Sequence, residues 1–133
     1  MTRDTRIREL FTQDEFADHL GMRLVGTDPV VVEMPLTTRH HNFHQGTHGG
    51  AVFSVADCVF SLASNAAGRA AVAIDTHLVF TAPTEAGDVL TATAEEMTRG
   101  RTLATYRVVV QRGDGRTCGL FTGTVSISPD GTD

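Results

Sequence analysis

Gly49-Gly50-Ala51-Val52-Phe53-Ser54-Val55-Ala56-Asp57-Cys58-Val59-Phe60-Ser61-Leu62-Ala63-Ser64-Asn65 is the stretch that decides the fold. Its apolar residues go nearly all the way round a helical wheel, which predicts a helix over 49–65 enclosed on most sides. The polar exceptions Ser54, Asp57, Ser61 and Ser64 follow at spacings of three, four and three. At about 100° per residue they share one stripe roughly 80° wide. The expectation is a central helix with a single polar seam.

Working outward, four strand-like segments follow Gly68: Val72–Phe80, Val89–Met97, Leu103–Gln111 and Thr117–Ile127. Thr98-Arg99-Gly100-Arg101 and Arg112-Gly113-Asp114-Gly115-Arg116 read as the tight turns of a meander. Upstream, Ile7, Leu10, Phe11 and Leu20 predict a helix over 5–20 stopped by Gly21. Two short strands, Met22–Gly26 and Val30–Leu36, turn at Thr27-Asp28-Pro29. The polar run from His40 to Gly50, rich in His and Gly, has little drive toward a regular element. This order predicts an α+β fold over residues 1–133, a single domain with one antiparallel sheet wrapped around a long central helix.

Composition narrows the function. The 133 residues are 41% hydrophobic and 20% charged, which fits one compact domain and excludes wholesale disorder. The net charge of −5 steers the molecule toward neither nucleic acid nor an anionic membrane, and no apolar stretch is long enough to span a bilayer. The residues Met1 to Arg6 lack the apolar core of a secretory signal, and Cys58 and Cys118 read as reduced thiols, so a cytoplasmic protein is expected. All the basic residues apart from His are Arg, so a polyanionic ligand must be met by a local Arg cluster.

Chemistry is expected where the loop enters the helix. Gly49 and Gly50 occupy the first turn, whose N–H groups have no partner within the helix and face outward with the positive end of its dipole. An oxyanion or polarised carbonyl suits that site, and glycine lets it approach the backbone. A plain turn before a helix accounts for the same two residues. Asp57, in apolar surroundings, is either a buried carboxylate satisfied by Ser54, Ser61 or Ser64, or a base or nucleophile beside a carbonyl. Asn42 offers an amide to a carbonyl or a water, or simply shapes its loop. Gly49 and Asp57 stand eight residues apart, about 12 Å along a helix. One carbonyl carbon cannot sit beside both on the same helix. If both act on one substrate, a second copy must supply one of them, which predicts a two-fold dimer with antiparallel helices side by side.

The run Asn42-Phe43-His44-Gln45-Gly46-Thr47-His48-Gly49-Gly50-Ala51-Val52-Phe53-Ser54-Val55-Ala56-Asp57 resembles the N-x-x-x-G-x-x-H-G-G-x-x-x-x-x-A-D signature of hotdog-fold acyl-CoA thioesterases. It is nearest the phenylacetic-acid-degradation (PaaI-type) branch, and the likeness extends over most of the chain. The resemblance implies hydrolysis of acyl-CoA, with phenylacetyl-type or hydroxyphenylacetyl-type esters favoured over medium-chain acyl groups. It implies Asp57 as nucleophile or base, Gly49 N–H polarising the thioester carbonyl, Asn42 orienting substrate or water, and His48 opening the helix. It also implies a site built by two subunits, homotetramers made from two such dimers, and no cofactor beyond the coenzyme A of the substrate. Some relatives carry a water-assisting Ser two positions before the Asp of the strand after the helix. Here that position is Ala73, ahead of Asp75, and the role is not carried over.

The remaining substrate contacts are expected from His48 and Gly50, from Ser61 and Ser64 on the seam, and from Arg99 and Arg101, with Arg112 and Arg116 at the second hairpin as further phosphate partners. Phe43, Phe53 and Phe60 are candidate pocket walls. His40, His41, His44 and His48 raise a metal site, but a Gly-containing loop suits one poorly, and no metal is expected. Cys58 beside Asp57 reads as an inert thiol. A non-catalytic acyl-CoA sensor on the same fold would need an effector module, and no helix-turn-helix or basic segment is visible. A hydratase would need a D-x-N-x-x-H motif, which is absent.

Overall fold

The computed structural model describes residues 1–129. The helix expected over 5–20 is in fact two, α1 (Arg3–Thr12) and α2 (Glu15–His19). The break is local chemistry. Asp14 leaves the helical region, and its Oδ1 accepts the Ala17 N–H at 2.9 Å, so its preference for a cap overrides the helical spacing. Gly21, at φ 78°, then ends α2 in the left-handed region that glycine enters freely.

Six strands follow the expected order: β1 (Arg23–Thr27), β2 (Val30–Pro35), β3 (Ala71–Phe80), β4 (Val89–Arg99), β5 (Leu103–Gln111) and β6 (Thr117–Ile127). They form one antiparallel sheet in the order β1-β2-β4-β5-β6-β3. The central helix, α3 (Gly49–Ser64), lies on one face of it. The inward residues Leu90, Ala92, Tyr106, Val108, Val110 and Phe121 close on Val55, Ala56, Val59 and Phe60 of the helix, all essentially inaccessible. Alternating inward residues along each strand are what a sheet with one covered face requires. At Gly123 the helix comes so close that a Cβ would stand 2.7 Å from the Phe60 ring.

Two consequences matter for function. Strand β3 is an edge, and Val72, Ile74, Val79 and Phe80 on it are exposed. The start of α3 lies against Phe80, the end of β3, while the C-terminal end of α3 lies beside Ala71, where β3 begins. Among the described residues, no helix is long and apolar enough to cross a membrane.

Candidate active site

His48 caps α3 in extended backbone (φ −64°, ψ 131°). Its Nδ1 accepts the Gly50 N–H at 2.8 Å, and its carbonyl accepts the Ala51 N–H at 2.9 Å. Gly50, expected as a substrate contact, therefore gives its N–H to the cap. Among the described residues nothing accepts the Gly49 N–H, which stays open at the positive end of the helix. A Cβ on Gly49 would lie 3.0 Å from the Phe80 ring, and one on Gly50 2.9 Å from His48 Nδ1.

The loop before α3 is hydrogen-bonded throughout, although it is irregular as expected. Asn42 Oδ1 accepts the N–H groups of His44 (2.9 Å) and Gly46 (3.3 Å). Two backbone donors on one oxygen fix the amide orientation, so Nδ2 faces the other way, without an acceptor among the described residues. Asn42 thus both shapes the loop and keeps a free donor. Gln45 sits at φ 63°, and the Thr47 hydroxyl donates to the Thr84 carbonyl at 3.0 Å. His40 ties these parts together. Its Nδ1 accepts the Thr37 N–H, its Nε2 donates to Leu20 O at the end of α2, and its carbonyl accepts the His48 N–H.

Asp57 is half-buried on the face of α3 that looks toward α2. It lines a cavity of about 60 Å³ with Asp14, Phe16, Met22, Ser54, Cys58 and Ser61. None of the seam serines satisfies it. The Ser54 hydroxyl donates to Gly50 O at 2.6 Å, and that of Ser64 to Ser61 O at 3.2 Å. No hydrogen bond to the Asp57 carboxylate is made among the described residues. Burial, reinforced by the charge of Asp14, raises its pKa above the ordinary 3.8. The carboxylate is desolvated, unneutralised and basic, as a group that takes a proton or attacks a carbonyl should be. Asp57 and Gly49 belong to one unbroken helix, so the separation of about 12 Å applies.

The other expected site residues divide. Ser61 is exposed beside Asp57, whereas Ser64 is fully buried on the inner flank of the seam. Arg99 and Arg101 lie at the C-terminal end of α3. Arg99 donates to the Tyr106 hydroxyl at 2.9 Å and pairs with Glu96 at 3.6 Å. Exposed Arg101 keeps its guanidinium without an acceptor among the described residues. Arg112 lies at the opposite end of α3, donating to Asp114 and to Pro83 O, so the two hairpins cannot serve one phosphate group within a single copy. The largest cavity described, about 620 Å³, also lies at the C-terminal end, between Ala66, Asp28 and Arg99, away from Asp57 and Gly49. Among the described residues, no three of His, Cys, Asp or Glu gather as metal ligands. Cys58 is buried, and its thiol is pushed up to about 12 by desolvation and by the charges of Asp14 and Asp57.

Of the candidate pocket walls, Phe60 lies in the core, Phe53 packs on Phe121 and Phe43 projects outward, 89% exposed. The phenyl ring that lines the Asp57 cavity is that of Phe16. It borders both the Asp57 cavity and a second one of about 180 Å³ beside Arg39, His41, His48 and Gly50. A single helix over 5–20 hides Phe16 and Asp14, which the break between α1 and α2 turns toward α3. The signal for them is Asp14-Glu15, a cap followed by a first-turn acid, within that segment.

Residues 44–119 match the family model described as the thioesterase superfamily. The chain is 41% identical over 114 residues to a putative esterase of Deinococcus radiodurans, covering 84% of this chain and 77% of that protein. It is 37% identical over 116 residues to acyl-coenzyme A thioesterase PaaI of Escherichia coli, covering 86% of this chain and 83% of that one. The solved structure of the E. coli PaaI protein from the phenylacetic acid degradation operon superposes with a TM-score of 0.90, at 33% identity, over 95% of this chain and 93% of that chain.

Proposed function

Since the chain belongs to the thioesterase superfamily and carries its hotdog fold, we propose that it hydrolyses acyl-CoA thioesters at a site shared by two copies, with Asp57 of one facing Gly49 of the other. The observation that carries this reading is the pair of open groups on α3. Among the described residues the Gly49 N–H has no acceptor and the Asp57 carboxylate no donor, and one helix holds them too far apart to share a carbonyl. Two antiparallel copies of α3 bring each Gly49 toward the other copy's Asp57. The long, exposed, apolar edge of β3 supports that pairing, because such an edge is otherwise an open template for association.

In the proposed reaction the thioester oxygen accepts the Gly49 N–H at the positive end of α3. One such donor is worth about 3–4 kcal/mol to the tetrahedral intermediate. Asp57 takes a proton from water as hydroxide adds to the carbonyl carbon, or its carboxylate adds directly to give an anhydride that water then opens. The C–S bond breaks and coenzyme A leaves as thiolate. Asn42 Nδ2 is the further donor for substrate or water. Antiparallel pairing also brings the Arg101 end of one copy toward the Gly49 end of the other, which supports Arg101 as the phosphate partner.

For the acyl group we propose an aryl-acetyl class. Two features support it: the cavity of about 180 Å³ that Phe16 lines beside Gly50, and the E. coli relative's place in a phenylacetic acid degradation operon. A panel of phenylacetyl-, hydroxyphenylacetyl- and medium-chain aliphatic CoA esters, followed by release of free thiol, tests the reading. Turnover highest on the aryl esters is expected. No thiol release from any ester contradicts the activity, and a preference for the aliphatic esters contradicts the substrate class.

A further inference from the structure

We propose that Asp14 is a positioning residue for Asp57, its carboxylate held against the Asp57 cavity by its own role as the cap of α2. The inference rests on the reading of Asp57 given above. Asp14 Oδ1 is held by the Ala17 N–H, and Oδ2 stands 4.0 Å from Cys58 Sγ, the residue next to Asp57. His40 ties the end of α2 to the loop before α3, its Nε2 donating to Leu20 O at 2.8 Å. Among the described residues, the titratable groups that line the cavity with Asp57 are Asp14 from α2 and Cys58 from α3 itself, and no cation lines it. The nearest fixed charge therefore has the sign of the carboxylate it faces.

This arrangement offsets a cost of the shared site. A carboxylate facing the start of a second copy's helix meets the positive end of a dipole, which lowers its affinity for protons and weakens it as a base. The Asp14 charge opposes that pull.

The test compares the pH dependence of kcat/KM for wild type, Asp14→Asn and Asp14→Ser. Asn and Ser both cap helices well, so α2 survives while the charge is removed. In both variants the acid limb is expected to move to lower pH, with plateau kcat reduced about two- to fivefold, as a weaker base implies. A limb that stays in place in the folded variants overturns the proposal. Carboxyl NMR titration of Asp57 in wild type and Asp14→Asn reads the same coupling without turnover. An unchanged Asp57 midpoint sinks the role of Asp14, whereas undiminished activity in Asp57→Asn sinks the reading of Asp57 instead.

Discussion

His48 Nδ1 accepts the Gly50 N–H at 2.8 Å, and this bond sets which donor in the first turn of α3 stays open. With Gly50 committed to the ring and Ala51 to the His48 carbonyl, the Gly49 N–H is left facing outward. The cap and the candidate oxyanion donor are thus adjacent residues with separate duties.

Gly49→Pro isolates the donor. Proline suits the first position of a helix and lacks the N–H, and the extended backbone of His48 suits a residue before proline. The added ring meets the end of the exposed Phe80 side chain, which must yield slightly. The variant should keep its helix signal by circular dichroism and lose about 10²- to 10³-fold in kcat. Wild-type turnover would remove Gly49 from the mechanism.

Removing the cap should act on stability first. His48→Ala leaves the Gly50 N–H without its ring acceptor and should cost about 0.5–2 kcal/mol, measured by urea unfolding. An unchanged midpoint would mean that the ring contributes nothing to holding the helix start.

Asp57→Asn should abolish turnover by orders of magnitude and yet stabilise the fold at neutral pH. Its carboxyl titrates above the ordinary 3.8 when folded, so the folded state binds the proton more tightly than the unfolded chain does. The wild type therefore loses stability as pH rises from 3.8 through the folded pKa. The variant escapes that loss. Its melting temperature should exceed that of wild type at pH 7, with the gap closing toward about pH 4. A wild type that melts higher at pH 7 would show that the carboxylate is satisfied after all.

Cys58 provides a control beside the site. With its thiol pushed up to about 12, it carries almost no thiolate at neutral pH. Cys58→Ala should keep kcat/KM within about threefold, and alkylation of the native protein at Cys58 should wait for unfolding. Rapid labelling tied to loss of activity would point to a cysteine mechanism.

The strands and α3 were legible because their signals are periodic, but the sheet order was not, since periodicity does not show that β3 pairs with β6 rather than with β4. Alternating apolar residues mark β5 and β6, and a long apolar run bounded by glycines marks α3. Asp57 stood out because a lone acid in such a run needs either a partner or a role, and the spacing of the serines did not show that none of them donates to it. Asp14 did not stand out, since capping is decided by one residue's backbone and the spacing of Leu10 and Leu20 masked it. The commitment of Gly50 to His48 was equally hidden, because a sequence does not show where a ring nitrogen points. Ser64 shares the seam's spacing with Ser61, but Asn65 and the start of β3 close over that end of the helix and bury it.

The shared site is tested most directly by complementation. Asp57→Ala and Gly49→Pro, carrying different tags, are co-expressed, and the mixed dimer is isolated on both tags. Each mixed dimer holds one intact pairing of Asp57 with the other copy's Gly49, and one site broken twice. The account predicts about half the wild-type activity per mixed dimer, from two parents that are each nearly inactive. A mixed dimer no more active than its parents, or a protein that remains monomeric while fully active, would contradict it.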